Sequence, residues 1–155
     1  MIRFFSEETK FNLKGKRATA AWLKEVAVSR GFTIGDLNYI FCSDEYLLDV
    51  NREFLGHDYY TDIITFDNSG DFFFETGREA VSGDVYISVD TVRKNGELYG
   101  EGFDRELHRV IVHGLLHLTG CDDTTPALEK KMHCAEDEAL KMFRRDCTNL
   151  RITTK

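Results

Sequence analysis

The stretch from Asp104 to Leu118 constrains the fold most, because a helix formed by it must be buried on nearly every side. Its apolar residues cover most of the circumference of such a helix. They are Leu107, Val110, Ile111, Val112, Leu115, Leu116 and Leu118. A helix of this kind needs other elements packed around it, and Gly120 lets the chain turn away from it. We therefore predict a central helix that ends just before Gly120.

The segments around this helix predict a small sheet and further helices. Runs rich in β-branched and aromatic residues, bounded by turn residues, predict strands. The predicted strands are 2–5, 37–42, 62–67 and 84–89. Residues 68–83 are predicted to form a hairpin excursion or a mobile loop. Together with the helices, these strands predict an α/β fold of the α+β type, with a mixed sheet of about four strands packed with helices.

The remaining helices are predicted from capping residues and apolar periodicity. One spans 20–32 and stops at Gly31. A short one is capped by Ser43 and ends before Gly56, and helical pattern resumes at Asp90. For the last helix, Thr125 is the predicted cap and Pro126 the first residue, a position where the missing N–H of proline costs nothing.

Composition limits the classes of protein to consider. The 155 residues, 42% of them hydrophobic, suffice for one domain over residues 1–155. No apolar run approaches the ~20 residues of a membrane span, and we see no export leader, so a soluble cytoplasmic protein is expected. The cysteines show no paired short spacing, which predicts reduced thiols. They are Cys42, Cys121, Cys134 and Cys147.

The charge is unevenly distributed along the chain. A net charge of −7 argues against a protein that coats nucleic acid through a generally basic surface. Residues 1–31, however, hold seven cations against three anions. This segment is either an ordinary solvated helix face or a patch that faces phosphate, and charge alone does not decide between them.

Two histidines in the central helix point to a metal site. His113 and His117 are four residues apart, so they project from the same face of the helix. Gly120 can turn the chain back, which lets the carboxylate of Asp123 return to the pair. Two imidazoles and a carboxylate suit zinc and leave a fourth position open, as in catalytic sites. The alternative is that both histidines are core residues and that Asp122 and Asp123 only cap the next helix.

The other residues near this motif narrow the chemistry. Zinc peptidases of the HExxH type carry their general base directly after the first histidine, and this chain has Gly114 there. A peptidase mechanism is therefore disfavoured. His108 points away from the face of His113 and His117, and His133 falls on the charged side of the last helix, so neither is predicted to be a ligand.

Three segments resemble the YbeY-type metal-dependent endoribonucleases of bacteria and organelles. HGLLHLTGCDD (113–123) is similar to the family motif HGxLHLxGYDH, from which it departs at Cys121 and Asp123. NREFLGHDYYTDIITFD (51–67) is similar to a second family segment, and Gly83-Asp84 opens the strand DVYISV as in a third. The resemblance covers residues 51–123 in order and is weak before residue 40.

The resemblance implies a fold related to the zincins and one zinc ion per chain. By position, His113 and His117 match the first two ligands, and Asp123 occupies the place of the third. The implied role is the trimming of ribosomal precursor RNA and ribosome quality control, with RNA or the small ribosomal subunit as partner. Two other functions stay open: an assembly factor with a largely structural zinc, and a zinc hydrolase of another substrate.

The resemblance leaves the base and the phosphate-binding residue open. Family members commonly have an arginine where this chain has Leu55, so His57 becomes a substitute candidate, or else an ordinary exposed loop residue. Hydrolysis needs a nucleophile, which zinc supplies by lowering the pKa of a bound water toward ~7. The base could be Asp122, or the RNA 2′-hydroxyl could attack instead. For Asp122, the role of a helix cap is favoured over that of the base.

Two expectations concern the surroundings of the metal site. A catalytic site needs solvent access, so the last helix and the loop from Asp67 to Gly83 are predicted to flank an open cleft. Since the overall charge repels phosphate, RNA contact is predicted to draw on N-terminal cations near that cleft: Lys14, Lys16 and Arg17.

Overall fold

A mixed sheet of four strands carries the fold in the part of the chain that the computed structural model describes: residues 1–69 and 79–153, with side chains over 1–69 and 79–143. The strands are β1 (Ile2–Glu7), β2 (Phe32–Cys42), β3 (Ile63–Asp67) and β4 (Glu79–Ser88). They lie in the order β1-β2-β4-β3, with β1, β2 and β4 parallel and β3 antiparallel to β4. The predicted small mixed sheet is confirmed.

Five α-helices and one π-helical turn complete the described elements. They are α1 (Lys16–Ser29), α2 (Asp44–Val50), the π-helical turn Asn51–Leu55, α3 (Val89–Leu98), α4 (Phe103–Leu118) and α5 (Pro126–Thr153). The predicted caps are confirmed, because Ser43 Oγ accepts the Tyr46 N–H at 3.1 Å and Thr125 Oγ1 accepts the Leu128 N–H at 3.2 Å. The described helices do not combine the length and apolar character that crossing a membrane requires.

Several boundaries differ from the predictions. Helix α1 begins at Lys16, and β2 begins at Phe32, five residues before its predicted start. Strand β4 begins at Glu79, inside the predicted excursion, because its first residues pair in parallel with the start of β2. Local pattern cannot reveal this pairing, since each strand supplies the other's hydrogen bonds. The rest of the excursion, residues 70–78, lies outside the described residues.

Helix α4 packs on one face of the sheet and is covered by α1 and α5. Ile111, Leu115 and Leu116 are completely buried, which confirms the prediction of a central buried helix. Burying each such side chain contributes about 1.5–3 kcal/mol. Two hydrogen bonds fix the surrounding elements: Tyr39 donates to the Ile111 carbonyl at 2.8 Å, and Trp22 Nε1 donates to the Ala139 carbonyl at 2.7 Å.

The second apolar cluster involves α2. Leu47, Val50, Ile64 and Cys42 form it. The predicted continuation of this helix to Gly56 is wrong in type, because α-helix ends at Val50 and the last turn is π-helical. Of the cysteines, Cys42, Cys121 and Cys134 are free thiols, whereas Cys147 lies outside the described side chains.

Candidate metal centre

The end of α4 and the turn after it bring three potential ligands together. Asp123 Oδ2 lies 3.6 Å from Nε2 of His113 and 3.6 Å from Nε2 of His117. All three donor atoms lie within 4.8 Å of one another. A tetrahedral zinc ion with bonds of about 2.0–2.1 Å separates its ligand atoms by roughly 3.4 Å. The three residues therefore fit such an ion after small side-chain adjustments.

The turn that returns Asp123 is built from local hydrogen bonds. Gly120 has φ 99°, which favours glycine, and the N–H of Cys121 donates to the Leu116 carbonyl at 3.0 Å. The carboxylate of Asp122 accepts the Asp123 N–H at 2.7 Å and the Thr124 hydroxyl at 2.9 Å. The Thr124 hydrogen bond holds the pKa of Asp122 below its ordinary value.

These contacts correct the expectation that Asp122 caps the next helix. The cap of α5 is Thr125, and Asp122 instead orders the turn before it. The Asp122 side chain is directed to the turn, and Cys121 Sγ accepts from the Arg30 guanidinium at 3.2 Å. Among the residues of this turn, Asp123 is the one grouped with the two histidines.

A buried glutamate from α5 holds the first histidine. Glu136 Oε2 lies 2.6 Å from His113 Nδ1, and its Oε1 lies 3.0 Å from an Arg109 nitrogen. The Glu136 side chain is only 3% exposed. A carboxylate on one ring nitrogen fixes the tautomer that offers the other nitrogen to a metal. His113 thus presents Nε2 to Asp123 and His117.

Burial and pairing oppose each other at this contact. Burial alone would raise the pKa of Glu136, but the His113 hydrogen bond and charge, with Arg109, hold it below its ordinary value. Burial alone would lower the pKa of His113, but Glu136 raises it above its ordinary value. The pair therefore favours a charged carboxylate beside a histidine that donates through Nδ1.

Sequence reasoning missed Glu136, although a signal for it exists. It lies four residues after buried Met132 and three before buried Ala139, in the apolar stripe of α5. A glutamate in such a stripe is buried with α4 and needs a partner there. Arg109, three residues after Glu106 on α4, is one of these partners, since it donates to Glu136 at 3.0 Å. It also donates to Asp137 at 2.9 Å.

Gly114 lies where α4 touches the sheet. A Cβ atom at this position would lie 2.8 Å from Val85 Cγ1 and 3.3 Å from Ile63 Cδ1. Glycine permits this close approach, and a glutamate could not point into the cleft from here. The absence of the HExxH base therefore has a packing reason in this chain.

Two of the candidate ligands, His113 and Asp123, border an open cleft of about 680 Å³. His113 and His117 are 20% and 30% exposed, and α5 forms one wall through residues that include His133 and Glu136. The predicted open cleft beside the last helix is confirmed. Asp67 and His117 line a neighbouring hollow of about 340 Å³. The remainder of the predicted loop wall falls on residues 70–78, outside the described residues.

The cleft is rich in carboxylates. Burial raises the pKa of Asp62 despite the opposing charge of His113, and burial raises the pKa of Glu106 despite Arg109. The carboxylate residues that line it are Asp62, Glu101, Glu106, Asp123, Glu129, Glu136 and Asp137. Sequence reasoning did not identify Asp62 or Glu106, because they come from different elements.

The structure does not bring the predicted substrate residues to this cleft. Lys14 precedes α1 and Lys16 and Arg17 are its first residues, whereas Arg30, at the other end, contacts Cys121. A helix of 14 residues separates these ends by about 21 Å. His57 is exposed, stacks on Tyr59, and lies 3.0 Å from the Tyr59 hydroxyl through Nδ1.

The two remaining histidines lie where the sequence places them. His108 packs beside Trp22 and Phe143, away from the ligand group, and burial lowers its pKa. His133 is 58% exposed and lies 3.3 Å from Glu136 Oε1. Neither belongs to the three-residue ligand group found among the described residues.

Comparison with known sequences gives a consistent answer over nearly the whole chain. The sequence model of the family described as "Endoribonuclease YbeY" matches residues 3–144. A protein of that name from Phocaeicola vulgatus is 49% identical over 143 residues, covering 92% of this chain and 99% of the relative. Another, from Bacteroides thetaiotaomicron, is 52% identical over 128 residues, covering 82% and 88%.

The fold also has a counterpart of known structure. The solution structure of TM1509 from Thermotoga maritima superimposes with a TM-score of 0.59 at 27% sequence identity. The match covers 94% of this chain and 93% of the other. The α/β arrangement described above is thus shared with a solved structure over almost its full length.

Proposed function

The chain belongs to the endoribonuclease YbeY family, and from this premise we propose that it is a zinc-dependent endoribonuclease acting on ribosomal precursor RNA. The proposed role is maturation of small-subunit RNA and ribosome quality control in the cytoplasm, carried out by one domain over residues 1–155. The observation that carries the proposal is the convergence of His113, His117 and Asp123, of which His113 and Asp123 line the open cleft and His117 lines the hollow beside it.

The donor set supports one zinc ion per chain. Three protein ligands with solvent access on the remaining side are typical of catalytic zinc, whereas structural zinc is usually enclosed by four. Zinc bound there would supply Lewis acidity for hydrolysis of a phosphodiester. This exposure also favours catalysis over the alternative of an assembly factor with structural zinc. The packing of Gly114 on Val85 disfavours a peptidase.

The residues around the ligands have separate tasks in this proposal. Glu136 orients His113 and keeps the proton on Nδ1. Asp122 orders the turn that presents Asp123, so its use as a base would sacrifice the hydrogen bonds that build the site. Asp62, which lines the same cleft on the β3 side, is the better placed carboxylate to receive a proton.

Zinc content and activity of paired variants test the ligand assignment. Asp123→Ala should lose zinc and RNA cleavage, and Asp123→His should retain zinc, because either side chain supplies a donor. Asp122→Ala serves as the matched neighbour and should retain more zinc than Asp123→Ala. Elemental analysis after dialysis measures the zinc, and cleavage of structured RNA with and without a chelator measures activity. Equal zinc in wild type and Asp123→Ala would refute the assignment.

Charge reversal at Arg30 tests which residues bind the RNA phosphates. It lies beside the ligand-bearing turn, and this chain has Leu55 where family members commonly have an arginine. Arg30→Glu should therefore weaken RNA binding more than charge reversal of Lys16 or Arg17, and the salt dependence should fall as a phosphate contact is lost. A larger effect of Lys16 and Arg17 would place the RNA on the far end of α1, and His57→Ala examines the remaining candidate.

A further inference from the structure

The cleft continues beyond the candidate ligands along α4. Glu106 lies seven residues, or about 10.5 Å along the helix axis, before His113 and lines the same cleft. Between them, Val110 and Ile63 provide an apolar wall. Tyr99, from the end of α3, lines the opening and is 62% exposed. We call the group Ile63, Tyr99, Glu106 and Val110 the distal slot.

Glu106 is a largely buried carboxylate that has the charge of Arg109 nearby but no direct contact with a donor among the described residues. It is 5% exposed, and no hydrogen bond or ion pair reaches its carboxylate from residues 1–69 or 79–143. Arg109, one turn along, directs its two terminal nitrogens to Glu136 and Asp137. The Glu106 oxygens are not among the fully enclosed atoms that lack a hydrogen-bond partner, so they open on the cleft, where the N–H groups of a ligand can donate to them.

The neighbouring acid Glu101 differs in this respect. Its carboxylate lies 2.7 Å from Arg105 Nε, so its charge is already paired at the rim of the cleft. Glu101 and Glu106 line the same cleft at different depths. They provide a matched pair for experiment, because the Glu101 carboxylate is paired with Arg105 and the Glu106 carboxylate has no such ion pair among the described residues.

The charge of the cleft restricts which part of an RNA can enter it. Seven carboxylate residues line the cleft. Among the described residues of its lining, Arg109 is the only arginine or lysine. Such a surface repels phosphate, whereas a neutral nucleobase with N–H groups meets acceptors. Unpaired bases of RNA are commonly bound by stacking on aromatic rings and by hydrogen bonds to their edges.

We propose that the distal slot binds one unpaired nucleobase of the RNA, with Glu106 accepting hydrogen bonds from its amino and ring N–H groups. This inference rests on the endoribonuclease function proposed above. Guanine fits best, because its N1–H and amino group can donate side by side to the two carboxylate oxygens. Cytosine and adenine offer an amino group, whereas the single N3–H of uracil lies between two carbonyl oxygens that a carboxylate repels. The rank is guanine first and uracil last.

Binding of short single-stranded RNAs tests this preference without relying on catalysis. The full-length protein, without added metal, is titrated with oligouridine and with the same oligomer carrying a single guanine, and fluorescence anisotropy gives the affinities. The guanine oligomer should bind on the order of 10-fold more tightly, as expected for a bidentate base contact. Glu106→Gln should remove this preference and improve uridine binding, since the amide can donate to a uracil carbonyl.

Two further variants separate base recognition from general effects. Glu101→Gln should keep the guanine preference, and Tyr99→Ala should weaken both oligomers by a similar factor. Equal affinities of wild type for the two oligomers, or an unchanged preference in folded Glu106→Gln, would overturn the proposal. Cleavage in the presence of zinc separates failure of the base slot from failure of the endoribonuclease function. Equal cleavage of both oligomers would reject the slot but keep the nuclease. A base preference in binding without any cleavage would reject the nuclease alone.

Discussion

Replacing Glu136 by glutamine tests the link between α5 and the candidate metal site. The carboxylate bridges His113 at 2.6 Å and Arg109 at 3.0 Å, and its side chain is 3% exposed. Glutamine has nearly the same shape but only one acceptor oxygen. It can therefore accept from His113 or from Arg109 but not from both, and its amide N–H₂ opposes the remaining donor.

The size of the effect follows from these contacts. Loss of a carboxylate behind a metal-bound histidine typically weakens metal binding 10–100-fold, or about 1.4–2.7 kcal/mol. Breaking a buried ion pair costs about 3–5 kcal/mol. Arg109 keeps Asp137 at 2.9 Å and is 19% exposed, so we expect a smaller loss of about 1–2 kcal/mol in the metal-free protein. That corresponds to a Tm decrease of roughly 2–8 °C.

Two measurements on the same samples examine this prediction. Competition with a chromophoric chelator gives zinc affinity, and thermal unfolding with and without zinc gives stability. Glu138→Gln is the matched control, because Glu138 is exposed on the same helix and should change neither quantity. A lower Tm with unchanged zinc affinity would refute the reasoning, since Glu136 would then only fasten α5 to α4.

Three smaller predictions concern packing, charge and capping. Gly114→Ala should lower the free energy of unfolding measured in urea. A Cβ atom 2.8 Å from Val85 Cγ1 overpacks the core at a cost of about 1–3 kcal/mol, against a gain in helix propensity of about 1 kcal/mol. A stabilised variant would contradict this prediction. Burial raises the pKa of Glu106 above its ordinary 4.5, so the folded state binds more protons than the unfolded state and stability falls as pH rises through that window. Glu106→Gln should therefore be more stable than wild type at pH 7, with the difference shrinking below about pH 4.5, and an equal pH profile for both proteins would count against it. Thr125→Ala should cost about 1 kcal/mol of stability through loss of the bond to the Leu128 N–H, and chemical denaturation that shows no change would contradict the cap.

Local sequence determined the parts of the site that lie within a few residues of one another. His113 and His117 share a helix face through the 3.6-residue period, and Gly120 turns the chain because a residue there must adopt φ 99°. Thr125 and Pro126 begin α5 as their types predict. These features depend on backbone geometry and short-range hydrogen bonds, which the residue types specify directly.

Tertiary structure decided everything that depends on how elements pack. Glu136 reaches His113 only because α5 lies against α4, and Asp62 reaches the cleft only because β3 is the neighbour of β4. The same packing places Arg30 near the site and leaves Lys16 about 21 Å away along α1. It also assigns a role to Gly114, whose missing side chain lets α4 approach Val85. Residue types carry no record of these long-range distances, because they are set by how whole helix and sheet faces pack on one another.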